Sequence, residues 1–241
     1  MLQKEKQLER NIRNILPKDI ADDICSKGSR LAHLYGLPKT HKSKLAMRPI
    51  LSATETYNYK LAKWLDDKLK PLSVNKFAIT DPLKFAEELR EQEIGEDDLL
   101  VSYDVSSLFT NVPVDETIRI LVDKAFEREW FNTKYHLHLK RSELTTLLNL
   151  AVKNQLFQLD GQLYEQVDGV GMGSPLGPLM ANVFMCSIEK DLEEAGKMPS
   201  FYHRFVDDTI TTQRDLTSAD AFLSTLTLLS STDKFHNGSG G

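Results

Sequence analysis

Apolar positions recur at helical spacing in several stretches of the chain and form short runs in others. Residues 1–13 are charged and helix-patterned. Residues 56–69 set Tyr57, Leu61, Trp64, Leu65 and Leu69 on one helical face and stop at Pro71. Thr80-Asp81-Pro82 is a helix start ahead of Phe85, Ala86 and Leu89. Leu99 to Tyr103 is a short apolar run bounded by acids, as in a core strand. The helical period returns from Asp115 to Glu129, with Ile118, Leu121, Val122, Ala125 and Phe126 on one face, and again from Ser142 to Val152. Leu156–Leu159 and Gln162–Glu165 flank Asp160-Gly161, a hairpin turn signal. Gly169 to Gly173 reads as a glycine-rich loop. Ser174-Pro175 then opens a long helix whose buried face is Leu176, Leu179, Met180, Val183, Phe184 and Ile188. Phe201–Val206 and Thr209–Thr212 read as two strands with Asp207-Asp208 near their turn, and Ala219–Leu229 as an amphipathic segment. Mixed helices and hairpins predict an α+β fold.

The 241 residues, 41% of them hydrophobic, suffice to bury a core and exclude a disordered or fibrous chain. A net charge of -5 taken alone argues against a nucleic-acid partner. The distribution reverses that reading. Between residues 25 and 71 ten Lys and Arg face only three acids, which leaves the remainder strongly acidic. A basic lobe joined to an acidic one suits a protein that grips phosphates with one part and cations with the other. Cys25 and Cys186 are too few for a disulfide framework and lack zinc-type spacing. With no apolar run of membrane length and no leader pattern, the expectation is a soluble intracellular protein, nuclear or cytoplasmic, without a membrane partner.

Asp104 ends an apolar strand, and Asp207-Asp208 lies at a hairpin tip far along the chain. Only a sheet that joins the two strands makes the three carboxylates useful together. Brought together they form an oxygen-only site for Mg²⁺, with Mn²⁺ as a substitute, and two such ions serve an in-line phosphoryl displacement. Because neighbouring residues on a strand point to opposite faces, the expectation is that Asp207 is the primary ligand beside Asp104 and Asp208 is peripheral. An isolated Asp-Asp is otherwise a solvated turn. His136 and His138 read as surface positions.

Leu34-Tyr35-Gly36-Leu37-Pro38-Lys39-Thr40-His41-Lys42, Arg48-Pro49-Ile50, Tyr103–Pro113, Gly171-Met172-Gly173-Ser174-Pro175-Leu176 and Arg204-Phe205-Val206-Asp207-Asp208-Thr209 follow one another in the chain. In this order they resemble the reverse transcriptases of Penelope-like retroelements, relatives of telomerase reverse transcriptase. The resemblance implies a right-hand polymerase fold with fingers (about 25–98 and 118–165) and a palm (about 99–117 and 166–237) built on an antiparallel sheet. These follow an N-terminal helical segment, 1–24, and precede a flexible tail, 238–241. It implies an RNA-directed DNA polymerase, a nucleotidyltransferase that takes an RNA template, a DNA primer and deoxynucleoside triphosphates, with no protein partner implied. Asp104, Asp207 and Asp208 become the catalytic aspartates and, with the Val105 carbonyl, the metal ligands. Lys39 and Arg48 hold the triphosphate, and Phe109 blocks a ribose 2′-hydroxyl. Lys42, Gly171, Gly173, Ser174 and Pro175 meet template and primer.

The pattern departs from the family in two respects. Gly169-Val170 stands where many relatives carry a glutamine, and after Asp208 the further palm motifs and the thumb are absent. The expectation is therefore a fragment of weak activity. A catalytically inactive remnant that binds RNA or primer-template, and another two-metal enzyme such as a nuclease or phosphatase, remain open at this stage.

Overall fold

The computed structural model describes residues 2–229 except 27, 41–43, 93–94 and 96–97, together with 235–237. In chain order the elements are α1 (Leu2–Ile15), α2 (Lys18–Ile24), β1 (Ala32–Pro38), β2 (Met47–Ser52), α3 (Tyr59–Leu69), α4 (Pro82–Glu91), β3 (Leu99–Val105) and α5 (Leu108–Asn111). There follow α6 (Val114–Phe126), α7 (Trp130–Tyr135), α8 (Arg141–Val152), β4 (Leu156–Leu159), β5 (Gln162–Glu165), α9 (Gly177–Glu194), β6 (Tyr202–Phe205), β7 (Asp208–Gln213), α10 (Leu216–Leu229) and β8 (Phe235–Asn237). They form two compact units, each drawn from two separate stretches: residues 1–73 with 109–183, and 74–108 with 184–241. No helix among the described residues is long and apolar enough to cross a membrane.

In the first unit α3, α6 and α8 bury Leu61, Leu65, Leu69, Leu121, Leu144, Leu147 and Leu148. Its four-stranded sheet runs β2-β1-β4-β5. The β4–β5 turn forms as the Asp160-Gly161 signal predicts, with positive φ at both residues (51° and 76°). Strands β1 and β2 have no such signal, because Gly36 pairs with Pro49 and Pro38 with Met47, and proline and glycine are poor strand residues. They are held by long-range pairing: β1 lies antiparallel to β2 and parallel to β4, through Ala32↔Phe157 and His33↔Gln158.

In the second unit the sheet runs β6-β7-β3-β8. Tyr103, Tyr202 and Phe222 pack edge to face beneath it, and the Tyr103 hydroxyl donates to the Ala219 carbonyl at 2.9 Å. The Asp81 carboxylate caps α4, accepting from the Leu83 and Lys84 amides. Two predicted helix ends move. The helix expected to reach Glu129 stops at Phe126, because Arg128 and Glu129 adopt left-handed φ (50° and 55°). The helix expected from Ser174 begins at Gly177, because Gly171 to Ser174 closes a turn of its own in which the Ser174 amide donates to the Gly171 carbonyl at 3.0 Å. That helix, α9, is also buried more widely than its predicted face, enclosing Ala181, Met185, Cys186, Glu189 and Leu192.

Candidate active site

Asp104 lies on β3 and pairs across the antiparallel ladder with Asp208, the first residue of β7. Directly opposed residues of such a pair share a face, with Cβ atoms roughly 5 Å apart. Thr209 and Tyr103, next along, turn the other way and are buried, while Asp208 is exposed and Asp104 half-buried. Asp207 sits in the two-residue turn between β6 and β7, and its carbonyl accepts from the Val105 amide at 3.2 Å. The ladder thereby sets Asp208, rather than Asp207, directly opposite Asp104. Phe205 pairs with Asp208 across the tight turn, so Asp104, Asp208 and Phe205 stand in one row across the sheet.

The turn is strained. Val206 has φ 59°, a left-handed conformation that a β-branched residue rarely adopts. Of the four residues expected at a metal centre, Asp104, Val105, Asp207 and Asp208, all come from this one end of the β3–β7 ladder.

Partial burial, with the neighbouring charges of Asp207 and Asp104 adding to it, raises the Asp208 carboxyl above its ordinary value. Crowded carboxylates with hard oxygen donors suit a hard divalent cation, so the donor set fits Mg²⁺. Among the described residues no three His, Cys, Asp or Glu side chains are already gathered to hold one ion. A carboxyl whose pKa is raised on folding binds its proton more tightly in the folded state. Its stabilising contribution is thus present at low pH and lost as pH rises through the raised value. Asp208→Asn is accordingly expected to raise the thermal midpoint at neutral pH in the presence of a chelator, with the gain shrinking as the pH is lowered. A midpoint unchanged or lowered at neutral pH would contradict this.

The other expected site residues lie in the first unit. Phe109, half-buried in α5, is tied by its carbonyl to the Val170 amide at 2.8 Å, and its ring carbons come within 3.5 Å of the place a side chain on Gly177 would take. Gly173, at φ 114°, lies against the Leu51 carbonyl, and the Leu51 amide donates to the Met172 carbonyl at 2.6 Å. The loop of Gly171, Gly173, Ser174 and Pro175 is thus stitched to β2. A cavity of about 370 Å³ opens beside it, lined among others by Leu34, Pro49, Leu51, Phe157 and Gly171. Lys39 and Arg48 flank the β1–β2 hairpin, Arg48 exposed opposite Leu37. Lys42 lies outside the described residues.

Sequence reasoning assigned no role to two residues, Arg204 and Glu189. Both are buried, and the Arg204 Nε donates to Glu189 Oε1 at 2.5 Å. The signal for Glu189 is an acid standing among the apolar positions of α9.

The family described as Reverse transcriptase (RNA-dependent DNA polymerase) matches residues 37–234. No curated protein matches the chain. Among solved structures, telomerase from Candida albicans in complex with the TWJ fragment of telomeric RNA is similar at a TM-score of 0.60 and 12% identity, over 92% of this chain and 44% of that one. Apo telomerase from Candida tropicalis gives 0.57 at 13% identity, over 90% and 46%. A form of that telomerase truncated from its C-terminal domain gives 0.55 at 13%, over 87% and 50%. The chain spans about half the length of these structures. The likeness shows the fold, an α+β right-hand polymerase architecture of fingers and palm, in which the β6-β7-β3-β8 sheet is antiparallel throughout.

Proposed function

Because the chain belongs to the reverse transcriptase (RNA-dependent DNA polymerase) family, we propose that it adds deoxynucleotides to a primer 3′-hydroxyl on an RNA template. The observation that carries this reading is the opposition of Asp104 and Asp208 across the β3–β7 ladder with Asp207 at the adjoining turn. The five motif blocks in their order support a Penelope-like lineage.

In this reading Asp104, Asp207, Asp208 and the Val105 carbonyl hold two Mg²⁺ ions. When bound, such ions lower the pKa of the attacking hydroxyl and stabilise the leaving oxygen. The chain's own groups do the rest. Lys39 supplies a mobile ammonium and Arg48 a planar fork, the two kinds of donor suited to a triphosphate. Lys42 and the backbone from Gly171 to Pro175 meet template and primer, where glycine permits close approach.

Phe109 fills the space of a ribose 2′-hydroxyl. Its carbonyl accepts from the Val170 amide, and its ring carbons lie within 3.5 Å of the place a side chain on Gly177 would take. Phe109→Ala is therefore expected to raise ribonucleotide use relative to deoxynucleotide use by about tenfold or more, with deoxynucleotide incorporation retained. Competition kinetics on one primer-template measures the ratio, and an unchanged ratio would assign Phe109 to packing alone.

The test of the whole reading is single-deoxynucleotide extension of a primer annealed to RNA and to DNA templates, at low salt with Mg²⁺ or Mn²⁺, beside Asp207→Ala. Extension that the variant lacks is the expected result. Salt-sensitive duplex binding with no extension would instead identify an inactive binder.

A further inference from the structure

The strained turn that presents Asp207 and Asp208 is held from inside the second unit by one guanidinium. Arg204 is 1% exposed and Glu189 is fully buried. Two sides of the Arg204 fork meet the carboxylate, Nε to Oε1 at 2.5 Å and Nη2 to Oε2 at 3.2 Å. The remaining nitrogen, Nη1, donates to the Val206 carbonyl at 3.1 Å. Glu189 is itself saturated: the Tyr202 hydroxyl donates to Oε1 at 3.2 Å and the Asn75 amide to Oε2 at 2.7 Å. Asn75 in turn accepts from the Phe77 and Ala78 amides. That segment clamps the backbone of Arg204, whose amide donates to Phe77 at 2.9 Å and whose carbonyl accepts from Ile79 at 2.7 Å.

A buried ion pair is a poor way to stabilise a fold, since apolar residues of the same volume commonly do as well. What apolar residues cannot supply is a donor rigidly aimed at the carbonyl of Val206, the residue with φ 59° immediately before Asp207. Lysine cannot supply it together with the bidentate pair, because its ammonium is a single point.

Resting on the polymerase reading above, we propose that Arg204 is a positioning residue for nucleotide addition: braced by Glu189, it fixes the Val206 carbonyl and with it the direction in which Asp207 and Asp208 present their carboxylates. The role belongs to the Glu189–Arg204–Val206 chain of contacts as a unit. Glu189 orients the fork and supplies its counter-charge, and Arg204 transmits that orientation to the turn.

The experiment compares the full chain with Arg204→Lys by two measurements, amide hydrogen exchange at residues 206–208 and single-nucleotide extension against Mg²⁺ concentration. The expected result is exchange at the turn faster by about tenfold while β3 and the rest of β7 keep wild-type rates. With it go a kcat lower by about tenfold to 10²-fold, a higher Mg²⁺ concentration for half-maximal rate and a KM for the deoxynucleotide within about twofold of wild type. Unchanged exchange at the turn would overturn the proposal, and so would a loosened turn with unchanged kcat and Mg²⁺ dependence. Should Arg204→Lys fail to fold, the double variant Arg204→Met with Glu189→Leu replaces the ion pair by apolar volume and is judged by the same outcomes. A wild type that extends no primer overturns the polymerase reading, whereas the exchange rates still decide whether Arg204 holds the turn.

Discussion

Asp104→Asn is expected to reduce deoxynucleotide incorporation by about 10³-fold or more while the protein stays folded. The substitution is nearly isosteric and lies at the half-buried end of a strand, so no cavity opens. What changes is charge. Asp104 and Asp208 face each other across the ladder, and the charges of Asp104 and Asp207 add to burial in raising the Asp208 carboxyl. Removing one charge relieves that repulsion but leaves too little negative charge to hold a divalent cation. The fold and the chemistry are thereby expected to separate, with a thermal midpoint in chelator equal to wild type or higher and extension lost at every Mg²⁺ concentration. Near-wild-type extension would remove Asp104 from the site.

Gly173→Ala is expected to destabilise the protein by about 3–5 kcal/mol, on the order of 10 °C in thermal midpoint. Two effects act together. The backbone at φ 114° lies outside the regions open to L side chains, and an added Cβ would come within 2.2 Å of the Leu51 carbonyl oxygen. That oxygen belongs to the backbone of β2 and cannot rotate aside. The loop must lift, which breaks the hydrogen bond from the Leu51 amide to Met172. Gly28→Ala is the matched control, because Gly28 also has a strained φ of 105° but nothing stands within 4 Å of its Cβ position. A Gly173→Ala loss no larger than that of Gly28→Ala would show that strain alone acts there. Thermal unfolding of both variants measures the difference.

Much of the secondary structure was legible because its causes are local. Asp81 caps α4, Asp160-Gly161 turns the β4–β5 hairpin, and Asp207-Asp208 falls where one strand ends and the next begins. The motif blocks likewise pointed to the family to which the chain belongs. Strands β1 and β2 were invisible, since Gly36, Pro38 and Pro49 are unfavourable there and β1 is held between β2 and β4, the latter more than a hundred residues away. Glu189 and Arg204 were equally hidden. An acid on a helix and a base on a strand read as solvated until the fold closes both from water.

The sequence by itself therefore determined the longer helices, the turns and the family blocks, all of which follow from side-chain chemistry within a few residues. Only the tertiary structure decided that Asp208 faces Asp104 and that a buried guanidinium holds the turn before Asp207. Strand register reverses every side chain when it slips by one residue, and it is set by pairing between segments distant in the chain. No local pattern carries that information.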